Sequence, residues 1–328
     1  MRRLPSLLLA AALAAPACGG ADAGDDKAGT VRVVTTVAPI TNIAALVGGE
    51  RVTVTGLVPE GTNSHTFEPP PSAAEVLSEA DLIVVNGLKL EDPTAELAQE
   101  NKAAEAEIVS LGDTVLPPKQ YIYDFSFPKK DGKPNPHLWT DPLWAVRYAG
   151  VIRDELAERD PDGKAYYDAN LATFTQTANA LSDAVKTAGA TVAKRQLLTY
   201  HDGYAYFAKD YGWTVLGAIQ PSSFEEPSPR EVAELIEQIK REKVPAIFGS
   251  EVFPSPVLEQ IGEEADVRYV DELRDDDLPG EPGEARHSWL GLMRFDYITM
   301  TDALGGDAGA LRAVKLRNVA PDEAVYPQ

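Results

Sequence analysis

Four histidines, His65, His137, His201 and His287, and one cysteine, Cys18, are the only imidazoles and thiol in the chain, so each can be weighed by itself. His65 closes the run GTNSH (residues 61–65), beyond an apolar stretch ending at Val58 and ahead of a helical pattern opening at Ser72. His201 directly follows the apolar stretch 196–200 and precedes a helical pattern over 202–211. His137 sits in PNPHLW (134–139), at the entry to a helix beginning near Asp141, and His287 follows Pro282-Gly283 at the start of the helical run 288–304. Any one of these reads as a surface or cap histidine. Four out of four at the ends of elements, two from each half of the chain, read as a convergent metal site. In parallel α/β sheets ligands collect beyond the carboxyl ends of strands, where His65 and His201 fall. Imidazole nitrogens suit Zn²⁺, whereas Mg²⁺ and Ca²⁺ prefer oxygen. The spacings match no zinc finger and no H-E-x-x-H helix, so placement carries the expectation.

Carboxylates adjoin the histidines. Asp202 and Asp141 either accept the second N–H of an imidazole or cap a helix, and Glu251, after the strand pattern 246–250, is a candidate ligand or orienting group. The aromatic residues Tyr121, Tyr123, Trp139 and Trp144 are expected to wall a cleft. Asp275-Asp276-Asp277 lacks the glycine and terminal glutamate of a calcium loop and reads as a solvated turn. No phosphate-binding glycine loop and no G-x-S-x-G elbow occurs.

These residues must be positioned by a scaffold. β-rich runs at 31–37, 52–58, 81–86 and 107–111 alternate with helical patterns, and a second series at 196–200, 214–220, 246–250 and 267–270 does the same. Strands alternating with helices predict parallel sheets, here two similar lobes of four strands each in an α/β fold. Capping boxes are written at Ser72/Glu75 and Ser228/Glu231. Between the halves, residues 164–188 hold neither Gly nor Pro, and Tyr167, Leu171, Phe174, Ala178, Leu181, Val185 and Ala188 form one apolar stripe. A rigid linking helix over 161–190 is expected between an amino-terminal lobe (31–160) and a carboxyl-terminal lobe (191–328).

Composition bounds the rest. With Lys+Arg 30 against Asp+Glu 51 the net charge is −21, the wrong sign for a nucleic-acid binder. The single cysteine excludes an intrachain disulfide and any multi-cysteine metal site. Arg2 and Arg3 followed by an apolar run read as an export signal over 1–17, too short to span a membrane. Cys18 in APACGG resembles a lipobox, although Ala15 stands where the pattern prefers Leu, and residues 18–30 then form a lipid-anchored flexible tether. The protein is thus placed in the cell envelope, on the outer face of the cytoplasmic membrane.

Residues 61–91 (GTNSHTFEPPPSAAEVLSEADLIVVNGLKLE), 135–142 (NPHLWTDP), 199–212 (TYHDGYAYFAKDYG), 226–248 and 288–294 together resemble the motifs of zinc/manganese-binding solute-binding lipoproteins of metal ABC transporters. The resemblance runs in order over residues 31–305. It implies a metal cleft between the lobes, and His65, His137 and His201 match the family's three histidine positions. It also implies an ABC permease and its ATPase as partners. Two departures stand out. Segment 113–135 lacks the histidines of the zinc-gathering loop and carries Lys119, Lys129, Lys130 and Lys133 instead, and His287 stands where the family commonly has an acidic ligand. The resulting expectation is a monomeric, non-enzymatic Zn²⁺ receptor, with Mn²⁺ as the second choice of cargo. A zinc hydrolase using Glu251 as base and a surface adhesin are the readings from other classes.

Overall fold

Two four-stranded parallel sheets organise the chain. The first pairs β1 (Val31–Thr35), β2 (Val52–Gly56), β3 (Leu82–Val85) and β4 (Glu107–Ser110) in the order β2-β1-β3-β4. The second pairs β5 (Gln196–Thr199), β6 (Thr214–Ala218), β7 (Ala246–Phe248) and β8 (Arg268–Val270) in the order β6-β5-β7-β8. The strand order is the same in both, so the lobes repeat a topology although the sequence shows no repeat. This computed structural model describes residues 30–220, 227–250, 256–274 and 276–327. The export signal, the tether with Cys18, and Glu251 lie outside them.

The helices are α1 (Ala38–Gly48), α2 (Ala73–Glu79), α3 (Asp92–Asn101), α4 (Leu111–Val115), α5 (Pro142–Arg159), α6 (Lys164–Gly189), α7 (Ala205–Tyr211), α8 (Pro229–Glu242), α9 (Pro256–Ala265), α10 (Trp289–Ala303) and α11 (Gly309–Arg312). Several strands stop one or two residues before the apolar runs end; after β1, for example, the Val37 carbonyl already accepts from Ile40 and Thr41 in the first turn of the helix. The capping box at Ser228 forms in full: its hydroxyl accepts from the Glu231 amide, and the Glu231 carboxylate accepts from the Ser228 amide. The box expected at Ser72 does not form. Ala73 and Ala74 donate to the carbonyls of Pro70 and Pro71, so the preceding proline turn already satisfies those amides and Ser72 itself is helical.

Helix α6 is 26 residues long, about 39 Å at 1.5 Å per residue. Tyr167, Phe174, Ala178, Leu181, Val185 and Ala188 are buried along it as the stripe requires, while Leu171 is half-buried. One end is tied to the first lobe, where Asn170 Nδ2 donates to the Val47 carbonyl of α1 at 2.9 Å. The other end meets the second lobe, where the Tyr211 hydroxyl of α7 bonds Ser182 Oγ at 2.8 Å. The largest apolar core runs without a break from Val33 through Phe174 to Trp213 and Tyr297, crossing from lobe to lobe.

A second tie comes from the end of the chain. Val325 bridges to Thr55 beside β2, with the Gly56 amide donating to the Val325 carbonyl at 2.9 Å. Nearby, Asn42 on α1 donates to Asp322 at 2.8 Å and accepts from the Trp289 amide at the start of α10, also at 2.8 Å. The carboxyl-terminal lobe therefore grips the amino-terminal one at α6 and again at the Asn42 junction.

Candidate metal site in the interlobe cleft

The chain leaves β2, passes Gly61 in the left-handed region (φ +76°), and delivers His65 at the mouth of the first sheet. His137 arrives on the short turn ahead of α5, and His201 follows β5 directly. His137 is central. Its Nε2 lies 3.2 Å from His65 Nε2 and 3.1 Å from His201 Nε2, and a nitrogen from each of the three rings falls within 4.8 Å of the others. Three nitrogens converging at that separation share one small volume, the donor arrangement a tetrahedral transition-metal ion requires.

Burial and mutual repulsion keep these rings neutral. Burial pushes His65 and His137 well below the ordinary imidazole range, helped by the neighbouring His201 and, for His65, by Lys133. Burial lowers His201 to about 4, against the opposing charge of Asp276. Neutral imidazole is the form that binds metal, so the site is held in its ligating state at neutral pH.

The tautomer of His137 is set by Asn135, whose side-chain oxygen accepts from His137 Nδ1 and from the His137 amide, each at 3.0 Å. That leaves the Nε2 lone pair facing His65 and His201. The amide group of Asn135 donates to the Asp202 carbonyl at 2.5 Å and to Asp124 at 2.8 Å, so one side chain joins the turn bearing His137 to the backbone beside His201. Neither Asp141 nor Asp202 fills the orienting place at His137. Asp141 caps α5 by accepting from the Leu143 amide at 2.7 Å. Asp202 is buried, and burial together with the charge of Asp124 holds its carboxyl well above the carboxylate range. Asn135→Ala frees the ring and the Asp202 carbonyl together; loss of such an outer partner is worth about 10–100-fold in metal affinity. Titration with Zn²⁺ checks this expectation, and an unchanged affinity would remove Asn135 from the site.

Aromatic walls enclose the cluster. Trp139 packs against His137 with ring centroids 4.9 Å apart. Phe127, which the sequence did not single out, lies 5.5 Å from both His65 and His137. Trp144 instead packs on Tyr206 and under Arg147, and Tyr121 is half-buried beside Asp113.

His287 is not drawn into the group of three. Its Nδ1 donates to the Gly280 carbonyl at 3.2 Å and its Nε2 faces Glu60 Oε1 at 3.8 Å, so both ring nitrogens are turned toward the interlobe seam. The helix cap at this point is Ser288, which accepts from the Gly291 amide. Asp271 is exposed. Of the three aspartates expected to form a solvated turn, Asp275 lies outside the described residues, and Asp276 and Asp277 are both bonded across to the His65 loop. Asp276 is buried, 7 % exposed, and accepts from the hydroxyl of Ser64, the residue before His65, at 2.5 Å. Its neighbour Asp277 accepts from the Gly61 amide at 2.8 and 2.9 Å, and the Leu278 amide donates to Glu60 at 3.2 Å. This carboxyl-terminal loop is stitched to the loop that carries His65, and the stitching buries a carboxylate at the edge of the imidazole cluster.

Two α/β lobes bound by a long helix, with convergent imidazoles in the cleft, define a receptor of the metal-capturing kind. Residues 33–303 match the model of the family described as zinc-uptake complex component A, periplasmic, and the chain belongs to that family. Manganese-binding lipoprotein MntA of Halalkalibacterium halodurans is 28% identical over 303 residues, covering 91% of this chain and 97% of that one. Iron-binding protein YfeA of Yersinia pestis is 27% identical over 85% of this chain and 88% of its own. Among solved structures, the periplasmic zinc binding protein TroA from Treponema pallidum superposes with a TM-score of 0.76 at 25% identity, covering 84% of this chain and 99% of that one. The protein is a substrate-binding component of a metal ABC transporter and not an enzyme.

Proposed function

We propose that this chain captures Zn²⁺ outside the cytoplasmic membrane and hands it to the permease of an ABC importer, held near the membrane by lipid on Cys18. The observation that carries the reading is the convergence of His65, His137 and His201, with the His137 tautomer fixed by Asn135. The names of relatives and structural neighbours support metal capture and span manganese, iron and zinc. Among the described residues no helix is long and apolar enough to cross the membrane, which is compatible with attachment through a lipid.

Asp276 supplies the fourth protein donor in this reading. Its buried carboxylate is near enough to His201 for its charge to act on that ring, and His287 would remain in the seam with Glu60. Three imidazoles and one carboxylate give a harder, less positive site than four imidazoles would. That favours a second reading, Mn²⁺ as cargo, since carboxylate oxygen suits Mn²⁺ and thiolate or imidazole suits softer ions. Metal analysis of the protein isolated from its own envelope decides between Zn²⁺ and Mn²⁺. Paired titrations test the ligand set. Asp276→Ala is expected to weaken Mn²⁺ binding by about 100-fold, some 3 kcal/mol, and Zn²⁺ by less, because three imidazoles and a water still form a tetrahedron. His287→Ala is expected to leave both within about threefold, under 1 kcal/mol. The reverse ranking would make His287 the fourth ligand.

A further inference from the structure

Beside His65 the cleft opens into a cavity of about 50 Å³ whose walls are largely apolar, from Leu88, Leu90, Phe127 and neighbouring prolines. Its charged lining consists of Lys89, Lys133 and Asp131, two cations against one acid. This is an unexpected sign for the approach to a cation site on a chain of net charge −21. An ammonium beside a bound divalent ion repels it, and an anion between the two turns that repulsion into attraction.

The backbone goes out of its way to place Lys89 there. Gly87, Leu88 and Lys89 follow one another in the left-handed region, at φ +80°, +53° and +64°, a conformation that L side chains rarely adopt. Side chains hold the turn: the Leu88 amide donates to Asp113 at 3.0 Å and the Gly87 amide to the buried Glu91 at 3.2 Å. Lys133 is steadied from outside by Asp92 at 3.3 Å and is close enough to His65 for its charge to disfavour protonation of that ring.

We propose that this cavity takes up a small carboxylate-type anion, hydrogencarbonate or a monocarboxylate, that binds together with the metal ion, one oxygen reaching the metal beside His65 and the others facing Lys89 and Lys133. The inference rests on the metal-receptor reading and adds a co-ligand to it. The small cavity favours a small anion, and its two ammonium groups select an anion over a neutral ligand. No bond is made or broken; the anion fills a coordination position that water otherwise takes.

The test is a titration of metal-free mature protein with Zn²⁺ at constant ionic strength in chloride, sulfate, formate or hydrogencarbonate, with Co²⁺ as a spectroscopic probe of the same site. Formate or hydrogencarbonate is expected to tighten Zn²⁺ binding about tenfold over chloride and to shift the visible Co²⁺ bands. Lys89→Ala and Lys133→Ala, both exposed residues outside the ligand set, should match or slightly exceed the parent's affinity in chloride, as one repelling charge is gone, and lose most of that gain. Equal Zn²⁺ affinity in all four salts, or a gain that survives in both variants, would overturn the co-ligand and leave the receptor reading standing. No Zn²⁺ binding in any salt would overturn both.

Discussion

His137→Ala is expected to weaken Zn²⁺ binding by about 1000-fold, roughly 4 kcal/mol. The ring is fully buried and its Nε2 lies within 3.2 Å of the Nε2 of both partners. Without it, His65 and His201 leave only two imidazole donors, one fewer than the three protein ligands an open tetrahedral zinc site has. A companion variant separates loss of ligand from loss of fold. His137→Asn keeps a side-chain N–H where Nδ1 meets Asn135 but has no atom at the Nε2 position, so it should melt like the parent and bind metal as poorly as His137→Ala. Competition against a chelator of known affinity gives the number. A His137→Asn protein that kept its Zn²⁺ affinity would place the ion elsewhere.

The largest effect on stability is expected at Trp289, first residue of α10. Its indole is fully buried and packs 5.1 Å from Phe174 on α6, its Nε1 donates to the Trp139 carbonyl at 3.0 Å, and its amide donates to Asn42 at 2.8 Å. One side chain thus touches the strut, the segment after His137 and, through its backbone, the first helix. Trp289→Ala should cost about 3–5 kcal/mol through lost burial, the cavity left behind and an orphaned carbonyl. Thermal unfolding of the metal-free protein is expected to fall by about 10 °C. Trp289→Phe, which loses the N–H but fills most of the volume, should recover more than half of that. A shift of only a degree or two in Trp289→Ala would mean that the lobes do not share a core at this point.

The three clustered histidines were legible because one rule covered them: residues just beyond the carboxyl ends of parallel strands, or at the helix entry facing those ends, point into the same crevice. The linking helix was legible because Tyr167 to Ala188 keeps one period without a break. Asp276 was not. A run of three aspartates has no periodicity and a polar composition, and its burial arises from Ser64 and Gly61, more than 200 positions earlier in the chain. His287 is a related case: its place at a helix start was legible, but the direction of its ring depends on Glu60 and Gly280, which no local pattern reports. Ser72 failed as a cap because the prolines before it had already supplied the turn. In each case local pattern gave the element and a distant contact decided the side chain.

The double fastening of the lobes, by α6 at one place and by Asn42, Asp322 and the terminal residues at another, sets the clock on which cargo is exchanged. Wide hinge closure in proteins proceeds over microseconds to milliseconds, while rotation of single side chains takes picoseconds to nanoseconds. Two such ties oppose wide gaping, which leaves the turning of side chains at the cleft, Phe127 among them, as the faster route for an ion. Uptake is then paced by how fast the hydrated ion sheds its water, and escape by how many of its ligands let go at once. Such a carrier would load almost as soon as it meets an ion and hold it for long periods, until contact with another protein disturbs the seam.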